Sequence, residues 1–121
     1  MNDSALTGQI GEQLAADYLS GLGFTVLERG WRSGHLEVDI IARKGDKIHI
    51  VEVKCRRNTS SGIEEFAPEF AMNKTKCDRL LAAAGDYLRL NDFEGELSLD
   101  LIAVNITPSG SEIRFYEGVQ W

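Results

Sequence analysis

Residues 37–54 alternate about a central Gly45-Asp46 dipeptide, and this pattern leaves few ways to fold the middle of the chain. Glycine followed by aspartate suits a two-residue hairpin loop, and a turn there pairs residues whose numbers sum to 91. Asp39 then faces Glu52, and Glu37 faces Lys54. Side chains opposed in this way share one sheet face with Cβ atoms roughly 4.5–5.5 Å apart, so two carboxylates placed there repel. A loop of odd length would send Asp39 and Glu52 to opposite faces. Along the second strand, Ile48, Ile50, Glu52 and Lys54 fall on one face and His49, Val51, Val53 and Cys55 on the other. Both faces begin apolar, which predicts a buried strand whose far end carries a carboxylate and an amine. Buried charge is costly unless it is paired or metal-bound. Two arrangements offset that cost. One is a cross-strand salt-bridge cluster of Glu37, Asp39, Glu52 and Lys54; the other is a hard divalent ion on Asp39 and Glu52, with water or phosphate completing its shell.

Charge distribution bears on the choice. The net charge of −6 argues against indiscriminate binding to nucleic acid. Yet residues 29–79 hold 11 of the 13 Lys and Arg with 8 of the 19 acids, a local balance of +3, while the rest of the chain stands at −9. Arg29 and Arg32 precede the hairpin, Arg43, Lys44 and Lys47 flank its turn, Arg56 and Arg57 follow it, and Lys74, Lys76 and Arg79 come next. Cations gathered around acids favour a polyanionic substrate.

The 121 residues make one domain, 1–121, long enough for a core without disulfide or metal staples. Cys55 and Cys77 are too few and too far apart for a zinc site or a disulfide framework, so both are expected reduced and packed. His35 and His49 lack partners at ligand spacing, and His49 reads as a satisfied core or edge histidine. No apolar run approaches the roughly 18–20 residues that cross a bilayer. Met1-Asn2-Asp3-Ser4 has neither the basic start nor the apolar segment of a secretory signal, so the expectation is cytoplasmic, away from membranes.

Helical spacing spans residues 7–20, with Thr7 suited to an N-cap, Gly21 or Gly23 as the stop, and Glu12 on the face of Ala15, Ala16 and Leu19. Residues 24–29 read as a strand and 30–34 as a turn before the hairpin. Residues 56–67 have loop composition, and Pro68 opens the longest helix, reaching about residue 90 with Phe70, Leu80, Leu81, Ala84, Tyr87 and Leu88 apolar. Residues 97–106 and 112–116 read as two further strands. Strand, long helix and strand in succession predict a right-handed parallel crossover, and hence an α/β sheet covered by helices.

At this point Asp39 with Glu52-Val53-Lys54 resembles the motif of the PD-(D/E)xK nuclease superfamily, Val38 standing where the name has proline. The ordered set Gly11-Glu12-Gln13-Leu14-Ala15, Tyr18-Leu19, residues 34–42 and 51–56, Lys76, Arg79-Leu80, Tyr87-Leu88 and Asp100 is similar to the YraN-like family of functionally uncharacterised bacterial proteins, over roughly residues 8–106. The resemblance implies a restriction-endonuclease-like core, a central mixed sheet of about five strands flanked by helices, related to Holliday junction resolvases. It implies that Asp39 and Glu52 hold Mg²⁺ or Mn²⁺ with the Val53 carbonyl, that Lys54 orients the attacking water, and that Glu12 completes the acidic site.

The expected reaction is phosphodiester hydrolysis in nucleic acid, DNA being favoured over RNA and branched DNA the substrate by analogy. Arg56, Arg57 and Lys76 are expected on phosphates farther along the strand. Glu37 either pins the Lys54 amine or joins the metal shell. A homodimer is expected only by analogy with resolvases, which cut two strands symmetrically. Two other readings stay open: a non-catalytic nucleic-acid or protein interaction module on the same fold, and a hydrolase of nucleotides or small phosphate esters.

Overall fold

The computed structural model describes residues 3–57 and 73–119. Its elements are α1 (Asp3–Gly21), β1 (Thr25–Ser33), β2 (Leu36–Lys44), β3 (Lys47–Arg57), α2 (Lys74–Leu90), β4 (Glu96–Thr107) and β5 (Gly110–Tyr116). The strands form one sheet in the order β1-β2-β3-β4-β5. Only β3 and β4 run parallel. Among the described residues, the result is an α/β fold with a five-stranded mixed sheet and two helices.

Strand alternation sorts the core into two layers. Ile48 and Ile50 of β3 with Leu99 and Leu101 of β4 pack under α2, which buries Cys77, Leu80, Ala83, Ala84 and Tyr87 at helical spacing. Val51 with Ile102 and Val104 packs under α1, against Ala15, Ala16, Leu19 and Phe24. Each fully buried Ile or Leu contributes about 1.5–3 kcal/mol. β4 is buried from Ser98 to Asn105, as a strand covered on both faces must be. Polar groups on it therefore need internal partners. Asp100, wholly buried, accepts from Ser98 Oγ at 2.5 Å and Gly118 N–H at 3.0 Å, and faces His49 Nδ1 at 2.5 Å. His49 is thus a satisfied core histidine. Both cysteines are free, and burial pushes their thiols up.

The expected hairpin register runs from Lys44↔Lys47 to Ile40↔Val51. It stops one residue short of the acids, so Asp39 and Glu52 are not ladder partners, and neither are Glu37 and Lys54. Other boundaries also differ from the sequence expectation. α1 starts before Thr7, because Ala5 and Leu6 continue a helix at little cost and Thr7 has no non-helical backbone to cap. β1 continues through the segment expected to turn, and the turn falls at Gly34-His35, between the paired Ser33 and Leu36. Gly30 misleads because it sits inside the strand at φ +60, where a Cβ would come within 3.3 Å of Glu37 Oε1. β3 extends through Arg57, its parallel partner β4 supplying a ladder as far as Arg57↔Ile106. α2 begins at Lys74 after an extended Asn73, and at 17 residues it is shorter than the 19 of α1. Pro68, Phe70 and most of the expected loop lie outside the described residues.

α1 ends in a Schellman motif: Phe24 N–H reaches Leu19 O at 3.0 Å, Gly23 N–H reaches Ser20 O at 3.1 Å, and Leu19 and Phe24 share one core. Among the described residues, no helix is long and apolar enough to cross a membrane. The middle of α1 crosses the far end of β3 at close range. A Cβ built on Gly11 would lie 2.4 Å from Cys55 Cβ and 2.7 Å from its Sγ. Helix propensity favours Gly11→Ala by about 1 kcal/mol, but overpacking against a backbone-fixed Cβ costs about 1–3 kcal/mol. The variant is expected to lower the urea midpoint, with a net loss of about 1 kcal/mol. A raised midpoint would show that α1 is not held in this contact.

Candidate active site

Past Ile40↔Val51 the regular β2–β3 ladder ends, and Asp39 takes over a bond that the ladder would otherwise make. Val53 N–H donates to Asp39 Oδ2 at 2.8 Å. Glu52, next along β3, has the parity of Ile48 and Ile50 and is only 5 % exposed. Its side chain shares a hydrogen bond with Asp39. Two carboxylates can do so only when one keeps a proton. Accordingly, the Asp39 carboxyl is pushed up to about 8, first by burial, then by the bond to Glu52 and its charge, while the Val53 N–H opposes and Glu12 adds.

Glu12 comes from α1, the helix covering the other face. Burial raises its carboxyl, Arg29 opposes, and the charges of Glu37 and Glu52 raise it further. Glu12, Asp39 and Glu52 therefore feel one another's fields at the end of the sheet. Among the described residues, no three His, Cys, Asp or Glu side chains converge into a ready-made metal cage. One or two carboxylates are the usual protein share for Mg²⁺, so the donor set remains of the right kind.

The cations are arranged differently from the sequence expectation. Lys54 stands two residues beyond Glu52 on β3, of the same parity, and is exposed. Glu37 neither pins it nor turns to Asp39; it pairs with Arg32 at 3.0 Å, its neighbour across the β1–β2 ladder. The longer β1 brings Arg32 opposite Glu37 before Lys54 can compete. Arg56 and Arg57 are exposed on the last residues of β3. Lys76, expected farther along a bound strand, lies within the acidic site, its Nζ 2.5 Å from Glu52 Oε2. That contact lacks hydrogen-bond angles, so the buried Oε2 has an ammonium beside it and no directed donor.

Sequence reasoning missed the Lys76 contact and the part played by Arg29. The signal for Lys76 was available in principle, because α2 must cover the face of Ile48 and Ile50, which is also that of Glu52. Arg29 had none: it meets α1 through Gln13 Oε1 at 2.8 Å, a tertiary contact across sixteen residues. The first turn of α2 adds to the positive side. Asn73 Oδ1 accepts the Lys76 N–H at 2.8 Å, and no acid in that turn offsets the helix dipole.

Fold and site together define an α/β protein with two neighbouring acids, Asp39 and Glu52, at the open end of a mixed sheet. A family model, the uncharacterised protein family UPF0102, matches residues 11–104, and the chain belongs to that family. A UPF0102 protein of Syntrophus aciditrophicus (strain SB) is 38% identical over 117 residues, covering 94% of this chain and 87% of the relative. One from Bacteroides thetaiotaomicron is 40% identical over 98 residues, 80% and 77% of the two chains. One from Dictyoglomus turgidum is 34% identical over 116 residues, 95% and 94%. The matched segment contains Glu12, Asp39, Glu52, Lys54 and Lys76.

A carboxyl whose folded pKa is about 8 against 3.8 for the free group favours the folded state most when protonated. The folded chain then binds the extra proton between those values, so stability falls as pH rises from about 4 to about 8. In chelator, the melting temperature of the parent is expected to drop across that window. Asp39→Asn keeps an acceptor for Val53, removes the charge, and should flatten the profile, gaining about 1 kcal/mol at pH 8 by relieving the burial of a charge beside Glu52. Thermal melts at pH 5 and pH 8 check this. A variant less stable than the parent at pH 8 would mark Asp39 as a salt-bridge partner.

Proposed function

We propose that this protein is a divalent-metal-dependent phosphodiesterase acting on nucleic acid, with a restriction-endonuclease-like core of the PD-(D/E)xK kind and DNA as its favoured substrate. The observation that carries the reading is the Asp39–Glu52 pair, whose two acids are close enough to share a proton, one of them buried with an oxygen lacking a directed donor. A strongly perturbed acid set against a second, buried carboxylate is the mark of a site suited to chemistry. A module freed from such chemistry would gain stability by losing one of the two.

The residues fit a hard cation. Asp39 and Glu52 would hold it, with Glu12 and the Val53 carbonyl available beside them, and the ion would neutralise phosphate charge and acidify a bound water. The chain's own groups do the rest. Lys54, exposed and of the same parity as Glu52, orients the attacking water and donates to the scissile phosphate. Water adds to phosphorus as the bond to the leaving oxygen breaks, and that oxygen departs with a proton. Arg56 and Arg57, at the exposed end of β3, hold phosphates farther along the strand, so binding to long substrates weakens with salt.

Branched DNA, linear DNA, RNA and nucleotides, each with Mg²⁺ or Mn²⁺, form the test panel, and cleavage of DNA lost on Asp39→Asn is the expected result. Lys54→Ala should bind Mn²⁺ as the parent does and cleave about 10²–10⁴-fold more slowly. Equal cleavage by that variant would remove Lys54 from the mechanism. An inert parent across the whole panel would remove the enzymatic reading.

A further inference from the structure

Resting on the reading that Asp39 and Glu52 hold a divalent ion, we propose that Lys76 is an internal cation that occupies Glu52 until the ion arrives and then moves to the substrate phosphate. Its Nζ lies 2.5 Å from Glu52 Oε2, whose side chain is almost wholly buried, while the lysine side chain is 39 % exposed. Without a counter-charge, Glu52 would be an unpaired carboxylate buried at the edge of the apolar layer beneath α2. The ammonium supplies that charge without hydrogen-bond angles, as a point charge on a flexible stem can. A divalent ion drawn to the same carboxylate repels the ammonium, so the two positive charges compete for Glu52.

Only the side chain needs to move. The Lys76 backbone is held by Asn73, which caps the helix through the Lys76 N–H, and α2 is seated by Cys77 and Leu80 directly behind it. The other lysine of that turn, Lys74, pairs with Asp78 at 3.1 Å. A displaced Lys76 ammonium stays at the positive end of α2, beside the acids, where a phosphate drawn to the ion would come to rest. Lys76 and Lys54 then differ in role. Lys54 has no ion pair with Glu52 and acts on water, whereas Lys76 sets how readily the ion enters and afterwards binds the phosphate.

The test is Lys76→Met, which keeps the apolar stem and removes the charge, with Lys76→Gln as a second variant should the first fail to fold. Calorimetric titration with Mn²⁺ in the absence of nucleic acid should give binding about fivefold tighter than the parent's, as expected for removal of a half-exposed ion pair. DNA cleavage at saturating Mn²⁺ should fall roughly 10–100-fold, the loss of a charge-assisted bond to phosphate. Opposite signs in the two readouts are the signature, since a purely structural lysine would weaken both. Mn²⁺ binding equal to or weaker than the parent's would overturn the competition, while the parent's own binding would leave the metal site standing. Cleavage at the parent rate would overturn the move to phosphate. If parent and variants all fail to bind Mn²⁺, this inference falls together with the function on which it rests.

Discussion

Parallel pairing of β3 with β4 over eleven residues, covered by a helix on either side, is the constraint from which the rest follows. A buried polar side chain on those strands must be answered inside the protein, because water does not reach it. Two acids on the pair meet that demand in opposite ways. Asp100 is surrounded by Ser98, Gly118 N–H and His49, which ties β4 to β3 and to the segment after β5. Glu52 has a second acid, an ammonium at a poor angle, and an oxygen with no donor. The first is a structural solution. The second is left incompletely satisfied.

That incompleteness has a mechanical origin. β2 and β3 pair regularly only as far as Ile40↔Val51, and at the next residue Asp39 spends its side chain on the Val53 N–H. The same bond aims the Asp39 carboxylate at Glu52, so the end of the ladder creates the acid pair. α1 is brought over that end by the close contact of Gly11 with Cys55, and the following residue is Glu12. α2 delivers Lys76 from the other face. Groups from four elements thus meet where the sheet opens, each placed by a packing contact that involves no ligand.

The hairpin, its two-residue turn and its register were legible because strand alternation and turn chemistry act over a few residues. Burial of β3 followed from the same alternation, as did the satisfied histidine at position 49. The parallel β3–β4 pair followed from the strand, helix, strand order. Gly30 shows where local signals fail: glycine marks a turn in sequence, but here it clears space for Glu37 within a strand. Glu37 itself was read against Lys54 from β3 alone, and β1 claimed it through Arg32. Thr7 could have capped a helix, but the chain before it was already helical.

Residue order alone determined that Asp39 and Glu52 would be neighbours across a hairpin, that Lys54 would share the parity of Glu52, and that apolar stripes would bury the strand carrying them. These are consequences of two-residue and 3.6-residue periods, which the chain carries within itself. Only the tertiary structure decided that the ladder would stop before the acids, that Glu37 would go to Arg32, and that the first turn of α2 would set Lys76 against Glu52. Those outcomes depend on how far strands stay paired and where a helix returns after a crossover. Neither is a property of any local stretch, since each is set by the competition of several elements for the same edge and face of one sheet.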